Sequence, residues 1–252
     1  RIKALLLGDL DIDGTGLKYL FGINGLEELY LGLPIRGEPL EHLGKLKSLR
    51  MLSLSIEPIG SVGLRAIQQM KELRYLRLIS VPFTDRQLAA LQTLENLEEL
   101  EFWHSEITND GLAALSRFPR LKKLSLYGNF RTVDQITDVG AFHLGQLERL
   151  ETLALTVTSI TNEGLSYLAN LKQLKRLTLM GNGITGDGLK LLVMLPKLEF
   201  LSLDLRVAEA GLEHLKQMKQ LSCSYRASDG EDQVFARFQT ALPNVGLSFQ
   251  DP

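Results

Sequence analysis

The chain contains one cysteine, one tryptophan, four histidines and no long apolar run. A lone thiol, Cys223, excludes an intrachain disulfide framework and fits a reducing, cytoplasmic compartment. A membrane-spanning helix needs roughly 18 or more consecutive apolar residues, and no such run exists. The 28 basic and 30 acidic residues nearly cancel, leaving a net charge of −2. Nothing therefore selects a polyanion or a lipid surface as partner. The corresponding expectations are no nucleic acid, no membrane insertion and a monomer. No linker-like stretch interrupts the 252 residues, and the chain starts at Arg1 inside repeating sequence, which reads as the start of a fragment.

What the chain has in abundance is leucine at fixed spacing. The pattern L-x-x-L-x-L begins at Ile2, Leu26, Leu49, Leu73, Leu97, Leu121, Leu150, Leu174 and Leu198. The steps are 24, 23, 24, 24, 24, 29, 24 and 24 residues. In each unit an alternating stretch such as Leu100-Glu101-Phe102 predicts a short strand with one buried face. It is followed by apolar residues at three-residue steps, such as Leu112, Leu115 and Phe118, which suit a short helix. Thr108, Thr137, Thr161 and Thr185 stand where a hydroxyl can cap that helix, and Asp13 takes the place in the first repeat. Asp110, Asp138, Glu163 and Asp187 follow in the first turn and oppose the helix dipole.

One strand and one short helix cannot bury their own leucines, but stacked units can. Parallel strands must then line one side and helices the other. Helices need more width than strands about 4.8 Å apart, so the stack bends with strands inside. The predicted fold is an α/β solenoid, a horseshoe with a concave parallel sheet and convex helices. Residues 1–221 form nine repeats, and 222–252 cap the same single domain. In the cap, Ser228-Asp229-Gly230-Glu231 reads as a capping box, and Val245 to Phe249 as a last strand.

The unit I-T-[DN]-[DE]-G-L, seen as Ile107 to Leu112 and Ile160 to Leu165, leads into the leucine pattern. It resembles bacterial leucine-rich-repeat proteins of the ribonuclease-inhibitor-like or GALA type, from Ile2 to about Leu221. Only Asn129 and Asn182 keep the asparagine slot after the strand. The resemblance implies protein recognition on the concave face and carries no catalytic residue.

Three local motifs suggest chemistry that the repeat explains better. Gly181-Asn182-Gly183-Ile184-Thr185-Gly186 spells a dinucleotide fingerprint, but Asn182 is the asparagine slot and the period leaves no room for a crossover helix. Asp9, Asp11, Asp13 and Gly14 open like a calcium loop, but its twelfth position is Leu20, not Glu. His42, His143 and His214 share one helical slot in distant repeats and cannot share a metal. No cofactor, metal or catalytic grouping is expected, and the chain is not read as an enzyme.

The variable positions between the leucines point onto the open sheet face. There, repeats four to six gather Tyr75, Arg77, Ile79, Glu99, Glu101, Trp103, His104, Lys123 and Tyr127. Trp, Tyr and Arg dominate binding hot spots, and large aromatics on a solvated sheet need a reason to be there. The long repeat adds its five extra residues directly after Tyr127, bringing Phe130 and Arg131 to the rim. These eleven residues are the candidate partner-binding site. The alternative is glycan binding, with the aromatics stacking on sugar rings and Glu99 and Glu101 holding hydroxyls.

Overall fold

The computed structural model describes residues 2–8, 15–23, 25–32, 38–55, 59–128, 135–218, 222–226, 240–242 and 246–250. They fall into two compact units, Arg1–Tyr127 and Gly128–Pro252. In the first, β1 (Ala4–Gly8), β2 (Glu28–Gly32), β3 (Met51–Leu54), β4 (Tyr75–Ile79), β5 (Glu99–Trp103) and β6 (Lys123–Tyr127) pair in parallel, each with the next in sequence. In the second, β7 (Thr152–Thr156), β8 (Arg176–Met180), β9 (Phe200–Asp204), β10 (Ser222–Arg226) and β11 (Gly246–Gln250) do the same. Register follows the repeat: Leu76 pairs with Leu100 and Leu100 with Leu124. β10 and β11 lie in the segment read as the cap, and β10 keeps register with β9 although the leucine pattern has faded there.

The alternation is visible strand by strand. In β4 and β5 the leucine-type positions are buried and the variable ones half-buried. Leu76, Leu100, Leu124, Leu153, Leu177 and Leu201 are all buried. Phe83 stacks on Phe102 beneath the strands of the first unit at 5.6 Å. Leu5 and Leu7 are only half-buried, since β1 is covered by β2 alone. The open face is less solvated than alternation predicts. Ser53, Ala154, Met180 and Ser202 point onto it yet are buried. Short side chains there are shaded by taller neighbours, as where the Arg176 guanidinium lies 4.0 Å over the Phe200 ring.

The helical halves are short. The first unit carries tight 3₁₀ turns over Thr15–Gly22 and Glu38–Lys45, then α1 (Gly60–Gln68), α2 (Asp85–Ala90) and α3 (Asn109–Ala114). The second carries α4 (Asp138–Leu144), α5 (Asn162–Leu168), a 3₁₀ stretch over Gly186–Met194, α6 (Leu205–Ala210) and α7 (Leu212–Leu215). Thr108, Thr137 and Thr161 cap their helices by accepting the amides of Asp110, Val139 and Glu163 at 3.2–3.3 Å. Thr84 forms a full capping box with Gln87. Thr185 departs from the expectation, because its hydroxyl instead accepts the Asn162 side-chain amide at 2.8 Å and caps nothing. Asp13, the aspartates of the calcium-like loop and Ser228 to Glu231 lie outside the described residues.

The first-turn acids do more than oppose the dipole. Asp138 accepts the Thr161 amide at 2.8 Å, the Thr161 hydroxyl at 2.7 Å and the Gly164 amide at 2.9 Å, all in the following repeat. Asp85 takes the Thr108 amide and hydroxyl at 2.9 and 2.6 Å, and Asn162 takes the Thr185 amide at 3.0 Å. This ladder explains the recurring glycine. A Cβ at Gly111, Gly164 or Gly188 would overlap the side-chain oxygen of Asp85, Asp138 or Asn162.

Candidate functional site

The candidate site in the first unit is organised by a carboxylate. Glu101 stands at the centre of β5, opposite Arg77 on β4. Its Oε1 accepts the Trp103 indole N–H at 2.6 Å. The same oxygen lies 3.2 Å from Arg77 Nε, an ion pair whose geometry falls short of a directed hydrogen bond. Its Oε2 accepts the Tyr75 hydroxyl from the diagonal position on β4. Burial and that hydrogen bond together push the Tyr75 phenol well above its ordinary pKa.

The aromatic rings are held by the same arrangement. Trp103 packs against Tyr127, its cross-strand partner, with ring centres 4.2 Å apart and planes tilted by 33°. The Arg77 guanidinium sits 5.7 Å from the Trp103 ring centre. Trp103 is thus flanked by Tyr127 and Arg77 and tethered through its nitrogen to Glu101. Tyr75, Arg77, Ile79, Glu99, Glu101, Trp103 and Tyr127 are all half-buried. Ile79 is the remaining cross-strand neighbour of Trp103. Lys123 and Glu99 form a separate ion pair at 2.6 Å in the column nearer the strand entry. Phe130 and Arg131 lie outside the described residues.

His104 is exposed at the exit of β5, with Nδ1 3.4 Å from Ser80 Oγ. Both residues have left-handed backbone, φ 57° and 55°. A strained serine beside a histidine invites a catalytic reading. The repeat supplies the structural reason: the same exit position is left-handed at Val157 (φ 55°) and Gly181 (φ 65°). This turn sends the exit amide to the next strand, as in Ser80 N–H to Trp103 O, His104 N–H to Tyr127 O and Val157 N–H to Met180 O, all at 2.8 Å. Among the described residues no acidic side chain orients His104, and no cluster of three or more His, Cys, Asp or Glu has metal-holding geometry. No helix of the described residues is long and apolar enough to cross a membrane.

The dinucleotide-like motif resolves into repeat contacts. Asn182 Oδ1 accepts the Thr158 amide and hydroxyl, and its Nδ2 donates to Leu155 O at 3.0 Å. Gly181 N–H donates to Asp204 at 2.7 Å, and a Cβ at Gly186 would strike the backbone of Ala210 and Gly211.

Comparison with known proteins agrees with this frame. Residues 171–193 match the family model of a leucine-rich repeat. An internalin from Listeria monocytogenes has a similar structure, with a TM-score of 0.54 at 20% identity, covering 98% of this chain and 86% of its own. The fold is that of a leucine-rich-repeat solenoid. A leucine-rich-repeat protein of Leptospira interrogans aligns at a TM-score of 0.46 and 18% identity, over 92% of this chain and 68% of its own. No curated protein matches the chain. The leucine-rich repeat accounts for the strands, the caps and the Asn182 contacts, and leaves the Glu101 cluster, among the described residues, as a feature of repeats four to six.

Two parts of the site are hidden in the sequence. In sequence Glu101 is one acid among several, whereas in the fold it joins three side chains. The available signal was its placement, two residues before Trp103 and one repeat after Arg77. Ser80, the neighbour of His104, carries no cue in its residue type.

Proposed function

We propose that the chain is a non-enzymatic protein-binding scaffold, and that a partner protein docks on the open sheet face of the first unit around Trp103 and Tyr127. The observation that carries this reading is the Glu101 cluster. It fixes the rotamers of a Trp, a Tyr and an Arg while each stays partly exposed. Anchors ordered before contact spare the entropy cost of immobilising them on binding. Protein hot spots favour these three residue types. The glycan reading is less well served. The Trp103 ring is already flanked by Tyr127 and Arg77, and both Glu101 oxygens are engaged.

The test is affinity for a captured partner, with Trp103→Ala beside the unaltered chain. Loss of about 2 kcal/mol or more, with unchanged circular dichroism, supports the site. Undiminished affinity refutes it. Saturable quenching of Trp103 fluorescence by a soluble oligosaccharide, without a protein partner, decides for the glycan alternative.

A further inference from the structure

The repeat that begins at Leu121 breaks the pattern of the helical face. In the second helical position, other repeats place charged residues, Arg86, Asp110, Glu163 and Asp187, and this one places Val139. Five residues after the cap, others place Ala89, Ala113, Ser166 and Lys190, and this one places Phe142. Val139 is 58% and Phe142 47% exposed, so neither is there for the core. The Phe142 ring meets Tyr167 on α5 at 5.4 Å with planes 84° apart, forming a corner. Glu163 fixes the second wall, since the Tyr167 hydroxyl lies 3.4 Å from its Oε1. Thr137, Asp138, Val139, Phe142, Glu163 and Tyr167 line a cleft of about 360 Å³.

We propose that this cleft between α4 and α5 binds a cationic side chain, lysine or arginine, presented by a peptide segment of a partner protein. Two perpendicular aromatic rings attract a cation by their quadrupoles, and a desolvated cation gains most. The carboxylates supply the charge. Among the described residues, no basic side chain pairs with Asp138 or Glu163. The starts of α4 and α5 contribute opposing positive potential, at most roughly half a unit each. Two full negative charges outweigh it, and Asp138 already accepts the Thr161 and Gly164 amides. The field in the cleft is negative beside an apolar wall, which excludes an anionic ligand. The assignment is independent of the Trp103 site.

The probe is N-acetyl-argininamide, with N-acetyl-citrullinamide as its neutral isostere, titrated against the full chain by NMR. Saturable shifts of the Phe142 and Tyr167 ring protons are expected with arginine, and binding at least about fivefold weaker with citrulline. Glu163→Gln, at an exposed position, should weaken the arginine probe by a similar factor while leaving the spectrum folded. Phe142→Ala should abolish the shifts. Equal affinity for the two probes, insensitivity to Glu163→Gln, or no saturable shift within the probe's solubility overturns the proposal. Equal affinity would assign the cleft to uncharged apolar contact instead.

Discussion

Replacing Gly164 with alanine isolates the contact that joins one repeat to the next. In a free helix this change is favourable by about 1 kcal/mol. Here the new Cβ overlaps the Asp138 carboxylate and comes within 2.8 Å of Ile160 Cγ2 and 3.0 Å of Ala141 Cβ. Overpacking of this kind costs about 1–3 kcal/mol. Displacing the carboxylate also weakens its bonds to Thr161 and Gly164. Those bonds are partly solvated, so each contributes about 1 kcal/mol at most. The expected net destabilisation is about 2–3 kcal/mol. Asp138→Ala alone, which removes the bonds and leaves the space, should cost about 2 kcal/mol. The double variant loses the carboxylate overlap and keeps only the closer approach to Ile160 and Ala141, so it should be no worse than Gly164→Ala alone. The coupling in a urea-denaturation cycle is then about 2 kcal/mol, well above the few tenths expected of independent sites. Additive losses, or stabilisation by Gly164→Ala in the otherwise unaltered chain, would refute the explanation of the recurring glycine.

Other outcomes follow from single residues. Leu153 is 1% exposed, and Leu153→Ala should cost about 2–5 kcal/mol in a urea-unfolding measurement. Val157 is a β-branched residue in left-handed backbone, and Val157→Asn should stabilise by about 1 kcal/mol, read in the same assay. Tyr75 keeps its proton in the fold to higher pH than in the unfolded chain. Its contribution is therefore complete below about pH 10, the unfolded value, and declines as pH rises beyond it. Urea midpoints between about pH 9 and 11 should fall less steeply for Tyr75→Phe, and parallel slopes would contradict the role given to burial and Glu101.

The strands were legible in the sequence because a leucine column at period two has one physical meaning in a stacked array. Leu100 and Phe102 could only be buried, and so Glu101 and Trp103 could only face outward. Which outward residues stay solvated was not legible, because it depends on neighbours a repeat away, as at Ser202. Helix type was hidden as well. Thr185 looks like Thr161, yet the stretch after it winds as 3₁₀. The left-handed exit was announced only by Gly181, while Ser80, His104 and Val157 adopt it against their preference. In the Glu101 cluster, residue types and facing direction were readable. The hydrogen bonds that order them were not, since a carboxylate two residues from a tryptophan has many rotamers open to it.

The bonds between repeats run in both directions along the chain. Asp85, Asp138 and Asn162 reach forward to the next helix start, while Asn182 and Asp204 reach back to the previous strand exit. In a one-dimensional array, cooperativity is set by how much of a unit's stability resides at its borders. A repeat that opens here breaks hydrogen bonds to both neighbours, so borders with two such links, as between Asn162 and Thr185 and between Asn182 and Thr158, resist fraying and melt as a block. A border that lacks one of them is where a partly unfolded boundary comes to rest.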